Sequence, residues 1–122
     1  MTKCLPPTEV IEDEVVRALR EDIGSGDLTA QLLSSHAESE VEVVCREQAV
    51  ISGTAWFNEV FLQLDDTVQI EWALSDGEEA APGQTICRLQ GISRVLLTGE
   101  RTALNFLQTL SGTATRAAEY SR

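Results

Sequence analysis

The chain has 122 residues, 43% of them hydrophobic, and nine basic against twenty acidic side chains give a formal net charge of −11. That length and apolar content suit one domain with a real core, and the acidity repels nucleic acid and anionic membranes, so neither is expected as a partner. Cys4, Cys45 and Cys87 are widely spaced, odd in number and lack a CxxC pair. This excludes a disulfide framework and a zinc site and points to cytosolic thiols. The opening MTKCLPPTEV lacks the cationic head and apolar core of a signal peptide, and no apolar run approaches the ~18 residues of a membrane span. The sequence reads as a soluble, cytoplasmic protein.

In chain order, Pro6 and Pro7 hold the entry extended, and Thr8 is placed to cap a helix whose first turns carry Glu9, Glu12, Asp13 and Glu14, favourable near the positive end of the dipole. Ile11, Val15, Ala18 and Leu19 follow helical spacing and form its core face. Gly24-Ser25-Gly26 breaks this helix, and Asp27 is positioned to cap a short second one, LTAQLL. With no GK[ST] and no strand leading in, the glycines are not a phosphate loop. From Ala37 to Glu47, AESEVEVVCRE alternates at Val41 and Val43 as a half-buried strand does, and Ala49 to Ser52 reads as a short continuation, with a hairpin edge expected there.

Gly53 marks a turn, after which Trp56, Phe57, Val60, Phe61 and Leu64 recur at helical intervals and make a core stripe. Asp65-Asp66 closes that helix, and TVQIEWAL places Val68, Ile70, Trp72 and Leu74 on one face of a strand. Asp76-Gly77 and Pro82-Gly83 are turn dipeptides flanking an acidic loop, and TICRLQG supplies a last short strand. Asp76, Glu78 and Glu79 lack the positional pattern of a calcium loop, so they read as a solvated turn. His36, the only histidine, falls in an expected loop without a partner by spacing and reads as a surface residue.

The closing segment begins at Ser93, a good cap residue, and carries Arg94, Arg101 and Arg116 among Val95, Leu96, Leu97, Ala103, Leu104, Phe106, Leu107 and Leu110. A helix apolar on more than one side is expected to be sandwiched between its own sheet and a second domain or subunit. Gly99 permits close backbone approach, and Ser111-Gly112 permits a bend. The pattern as a whole is α+β: short helices, a small mostly antiparallel sheet with helices on one face, and a long carboxy-terminal helix.

Two readings fit Arg101. In one it lies on the wet stripe of this helix and pairs with Glu100 or another acid. In the other its planar five-donor fork projects into a site that receives a carboxylated ligand. Spacing does not choose between them.

The wording of four blocks does. ALREDIGSGDLTAQLL from Ala18 to Leu33, REQAVISGTAWFNEVF from Arg46 to Phe61, DGEEAAPGQTICRLQG from Asp76 to Gly91, and SRVLLTGERTALNFLQTLSG from Ser93 to Gly112 with its trailing ATRAAEY follow one another in order. Together they resemble the amino-terminal domain and linking helix of the quinolinate phosphoribosyltransferases, also called nicotinate-nucleotide pyrophosphorylases (decarboxylating). The resemblance implies an open, hammerhead-like sandwich at residues 1–110 and, at 111–122, the start of a connection to an α/β barrel that carries the catalytic residues and lies outside this chain. It implies transfer of phosphoribose from phosphoribosyl pyrophosphate to quinolinate with decarboxylation, in NAD biosynthesis, giving nicotinate mononucleotide, pyrophosphate and CO2. Mg2+ accompanies the pyrophosphate donor in the whole enzyme and no cofactor is assigned to this piece, which by itself is expected to be inactive.

The resemblance further implies a homodimer or higher homo-oligomer in which Arg101 enters the neighbouring subunit's site and contacts a quinolinate carboxylate. No general base or nucleophile is assigned here. Glu100 and Asn105 flank Arg101 and are candidates to brace it. Without a barrel to cover it, the Leu96 to Leu110 surface is expected to self-associate.

Three alternatives stand beside this reading. A swinging-arm carrier is suggested by the likeness of DGEEAAPGQTICRLQG to biotinyl and lipoyl domains, but the only lysine is Lys3, near the terminus, and no exposed turn offers an attachment point. A non-catalytic dimerisation or docking module would make Arg101 a structural ion-pair partner, and a paralogue could act on a different pyridine carboxylate.

Overall fold

A computed structural model of the chain describes residues 6–24 and 37–121, with side chains described throughout that range except at residues 23, 24 and 116–121. Cys4, the short helix expected after Asp27, His36 and the Arg116 side chain lie outside the described residues. Three helices and five strands follow in the order α1 (Thr8–Gly24), β1 (Glu38–Val44), β2 (Ala49–Val50), α2 (Thr54–Leu64), β3 (Gln69–Trp72), β4 (Glu79–Ala80), β5 (Thr85–Ile92) and α3 (Ser93–Ser121). The α+β class holds.

The larger sheet has the order β1-β5-β3 with both pairings antiparallel. Its register lines side chains up in rows that alternate between faces, as the two-residue strand period requires. Val41, Leu89 and Ile70 share one row and Val43, Cys87 and Trp72 another, all turned inward, while Glu40, Gln90 and Gln69, and Glu42, Arg88 and Glu71, make the outward rows. Arg88 sits between two acids and bonds Glu42 at 3.3 Å, an exposed pair of the kind that adds little stability. The alternation legible at Val41, Val43, Ile70 and Trp72 is therefore the sheet's inside face.

Three strand expectations change. Of TVQIEWAL only Gln69–Trp72 is strand: the Val68 amide closes a turn on the Asp65 carbonyl, and Val68 and Leu74 lie outside β3. TICRLQG, expected as a last short strand, lies in β5, which is the last strand in the chain but also the longest at eight residues and the central one of its sheet. Ala49-Val50 does not continue β1 or form its hairpin partner; it pairs with β4 in a separate two-stranded sheet. The chain breaks between them because the Cys45 and Gly83 amides bond across to the Gln84 and Cys45 carbonyls, and this ends β1 opposite the Pro82-Gly83 turn.

Helix α2 buries Trp56, Phe57, Val60 and Phe61, at about 1.5–3 kcal/mol for each fully buried large apolar side chain. Phe57 meets Trp72 of β3 edge-on with centroids 5.1 Å apart and stacks obliquely on Phe61 at 5.5 Å, which ties α2 to the sheet's inner face. The helix starts after Gly53, whose φ of +102° suits glycine, and Asp76 accepts the Thr54 amide there at 3.2 Å. Glu78 accepts the Ser75 amide at 2.8 Å, so two of the acids in the turn serve as backbone acceptors. The turn glycines Gly77 and Gly83 have φ of +91° and +84°, as their dipeptides predict.

Helix α1 packs Ile11, Val15 and Leu19 against α2 and α3. Trp56 donates its indole N–H to Glu14 at 3.2 Å, and Gln63 donates to the Glu12 carbonyl at 3.1 Å. Thr8 is the first helical residue and not the cap. The Pro7 carbonyl accepts from Val10 and Ile11, so Pro7 occupies the cap position.

Strand β5 runs directly into α3, which continues as helix through Ser111 and Gly112 to Ser121. Its buried stripe is Leu96, Gly99, Ala103, Leu107 and Ser111, the spacing of one helical face, and Thr102 is buried beside it. Ser111 donates to the Ser52 carbonyl at 3.1 Å and accepts the Ser52 amide at 3.0 Å, and Thr115 Oγ1 accepts the Val50 amide at 2.9 Å. The helix is thus anchored to the segment around β2. Leu96 and Leu107 already lie in the domain's own core, so the expected second apolar side shrinks to Leu97, which is 39% exposed, and the half-buried Val95, Leu104, Phe106 and Leu110.

Candidate functional site

Arg101 falls in the first third of α3, one residue before the buried stripe turns inward at Thr102 and Ala103, and is itself exposed. An exposed guanidinium is hydrated, so burial imposes no need for a partner here. Among the described residues no carboxylate lies within 4.0 Å of it, and Glu42–Arg88 is the ion pair present. The reading in which Arg101 is tied down by Glu100 finds no such contact, nor does a brace from Glu100 or Asn105, both exposed like Arg101 itself. What the fold presents is a fork of five N–H donors with none committed among the described residues, on the rigid part of a long helix.

The helix is held firmly on either side of this point. Gly99, two residues upstream, brings the backbone of α3 so close to α2 that a Cβ there would lie 2.7 Å from the Phe61 ring and 2.8 Å from Leu64 Cδ1. Thr102, one residue downstream, is 1% exposed and donates its hydroxyl to Asp22 of α1. Sequence reasoning missed this tie: both residues lie in the recognised blocks, but a separation of 80 positions carries no local signal.

Between α3 and β1 a groove of about 760 Å³ is lined by Val43, Phe57, Leu89 and Leu107 together with Glu100 and Gln108. Arg101 is not among its lining residues. Among the described residues no three His, Cys, Asp or Glu side chains converge as a metal ion needs. Cys45 and Cys87 are free and buried, and burial pushes the Cys87 thiol up to about 12, which makes it an unreactive packing group and not a nucleophile. Cys45 donates its thiol to the Glu47 carbonyl at 2.6 Å. No helix among the described residues is long and apolar enough to cross a membrane.

Helices and an antiparallel sheet packed about one long helix, with the exposed Arg101 guanidinium on that helix, define an α+β domain. The chain belongs to the quinolinate phosphoribosyl transferase family: residues 27–111 match the family's N-terminal domain. It is 40% identical over 102 residues to a probable nicotinate-nucleotide pyrophosphorylase [carboxylating] of Bacillus subtilis, covering 84% of this chain and 35% of that protein. It is 32% identical over 111 residues to quinolinate phosphoribosyltransferase [decarboxylating] 1 of Nicotiana glauca, covering 89% of this chain and 32% of the relative. The crystal structure of NadC from Streptococcus pyogenes superposes with a TM-score of 0.90 at 35% identity, over 98% of this chain and 43% of that one. The chain thus spans from 32% to 43% of the length of these relatives.

Proposed function

We propose that this chain is the ligand-contributing amino-terminal part of an enzyme that transfers phosphoribose from phosphoribosyl pyrophosphate to quinolinate, and that Arg101 holds a quinolinate carboxylate. The observation that carries this is the exposed, uncommitted guanidinium within the ERTALN block of α3. The names of the relatives supply the substrate class. The charge balance supports a division of labour, since a chain of net charge −11 cannot itself be the electrostatic host for a dianion and a polyphosphate. Most of the positive potential then comes from the remainder of the family's length, with Arg101 as one donated cation.

The chemistry asked of Arg101 is orientation. A guanidinium fork grips a planar carboxylate through two parallel N–H···O bonds and keeps its charge at every working pH. Held so, the pyridine nitrogen faces the anomeric carbon of the donor; its lone pair forms the new C–N bond as pyrophosphate leaves. The ring nitrogen becomes cationic, the adjacent carboxylate leaves as CO2, and the electron pair left on that ring carbon takes up a proton, giving nicotinate mononucleotide. The full polypeptide acts in the cytoplasm as a homodimer or higher homo-oligomer, Mg2+ accompanies the donor, and Arg101 reaches the site of the neighbouring subunit. The domain proper ends near residue 110, and 111–122 begin the connection onward.

The test is steady-state kinetics of a polypeptide that carries this chain with the remainder of the family's length. A charge-assisted hydrogen-bond pair contributes about 1.5–3 kcal/mol, so Arg101→Ala should raise the KM for quinolinate about 10- to 150-fold, and Arg101→Lys should recover only part of the loss because an ammonium cannot bond bidentately. An unchanged KM for quinolinate in Arg101→Ala would refute the assignment.

A further inference from the structure

Four of the five threonines of α3 donate their hydroxyls in one of two ways. Thr98, Thr113 and Thr115 each donate to the carbonyl four residues back, Arg94, Thr109 and Ser111, at 2.7, 3.2 and 2.7 Å. This is the default for a helical threonine. Thr102 has the Thr98 carbonyl in the same relation, yet donates across the helix interface to Asp22 Oδ2 of α1. Asp22 in turn stands in the last turn of α1, where a carboxylate faces the negative end of the dipole and is unfavourable unless another interaction compensates. A buried hydroxyl and an ill-placed acid are thus paired between two blocks 80 residues apart, next to Arg101.

We propose that Asp22 is a positioning residue for Arg101, acting through Thr102 by fixing the rotation of α3 about its own axis. The apolar stripe sets which face of α3 is buried, but side-chain packing tolerates small rotations that a directional hydrogen bond does not. A rotation of about 20° moves groups at the helix surface, about 5–6 Å from the axis, by about 2 Å. A misplacement of about 1 Å at a reacting site can cost on the order of 100-fold in rate or affinity. Gly99 clamps α3 on its α2 side and the Thr102–Asp22 bond clamps it on its α1 side, so Arg101, which lies between them, leaves the helix in one direction.

This inference rests on Arg101 being the quinolinate contact, and the experiment separates the two. In the polypeptide that continues through the remainder of the family's length, Thr102→Val and Asp22→Ala each remove the bond, whereas Thr102→Ser and Asp22→Asn keep a donor and an acceptor in place. The first pair should raise the KM for quinolinate about tenfold with kcat changed less than about threefold, and the second pair should stay within about threefold of the parent in both. Ser111→Ala removes a comparable buried tie farther along the same helix and should leave the KM unchanged, which sets positioning apart from general destabilisation. Should Thr102→Val not fold, Asp22→Ala decides, because that side chain is only half-buried. A parental KM in Asp22→Ala, with Arg101→Ala still impaired, overturns the positioning role and leaves the site; a parental KM in Arg101→Ala overturns both.

Discussion

Replacing Gly99 by alanine sets two effects of opposite sign against each other. Within a helix, Gly→Ala gains about 1 kcal/mol from backbone entropy and propensity. At this position the new methyl would stand 2.7 Å from Phe61 Cε1, 3.1 Å from Phe61 Cδ1 and 2.8 Å from Leu64 Cδ1, against an ordinary separation of about 3.5–4.0 Å. Leu64 is half-buried and its Cδ1 can swing away. Phe61 cannot do so freely, because it is fully buried and stacked on Phe57, which in turn meets Trp72. Overpacking of this kind costs about 1–3 kcal/mol, and with a displaced ring the upper part of that range applies.

The net expectation for Gly99→Ala is a loss of about 1–2 kcal/mol, read as a fall in Tm of about 4–8 °C for a domain of this size. Thermal unfolding followed by circular dichroism measures it directly. The sharper form is a double-mutant cycle with Phe61→Leu, which removes the ring edge that the methyl meets. In that background Gly99→Ala should cost almost nothing or stabilise. A Tm at or above the parent for the single variant, or an equal cost in both backgrounds, would show that α2 and α3 are not locked by this close approach.

The buried Cys87 thiol, raised from 9.0 to about 12, should resist alkylation in the folded chain at pH 8 and react only on unfolding, as mass spectrometry of trapped samples can show. Because its folded value lies above the unfolded one, the stability it contributes is complete below about pH 9 and declines as pH rises towards 12; the fall in denaturation midpoint over that window should be shallower in Cys87→Ala than in the parent. Asp65 behaves with the opposite sign: Thr67 holds its carboxyl below the usual carboxylate range, by side-chain and backbone hydrogen bonds at 2.7 and 2.9 Å. Its contribution is present above the usual Asp value of 3.8 and is lost as pH falls through the lower folded value, so Asp65→Ala should flatten the acid limb of a Tm–pH profile.

Much of the architecture was legible in local pattern. The period-two alternation at Val41 and Val43 and at Ile70 and Trp72, the 3.6-residue recurrence at Ile11, Val15 and Leu19 and at Trp56 to Leu64, and the glycine turns at Gly53, Gly77 and Gly83 each depend only on neighbours in the chain, and each is found. Arg101 was legible too, through the wording of its block and not through its spacing. Partnership between distant residues was beyond reach. Nothing local says that β5 is the sheet's centre, that Ala49-Val50 leaves β1 for β4, or that Pro7 takes the helix cap from Thr8, because each outcome is decided by which backbone groups meet after the chain has closed on itself. The same holds for the site: the sequence by itself determined that a guanidinium would be carried on a long helix, and only the tertiary structure decided that it is exposed, without a partner among the described residues, and set between a glycine contact and a threonine–aspartate bond. Side-chain type and period are written in the chain, whereas the rotation of one helix against another is fixed by contacts between segments 80 residues apart.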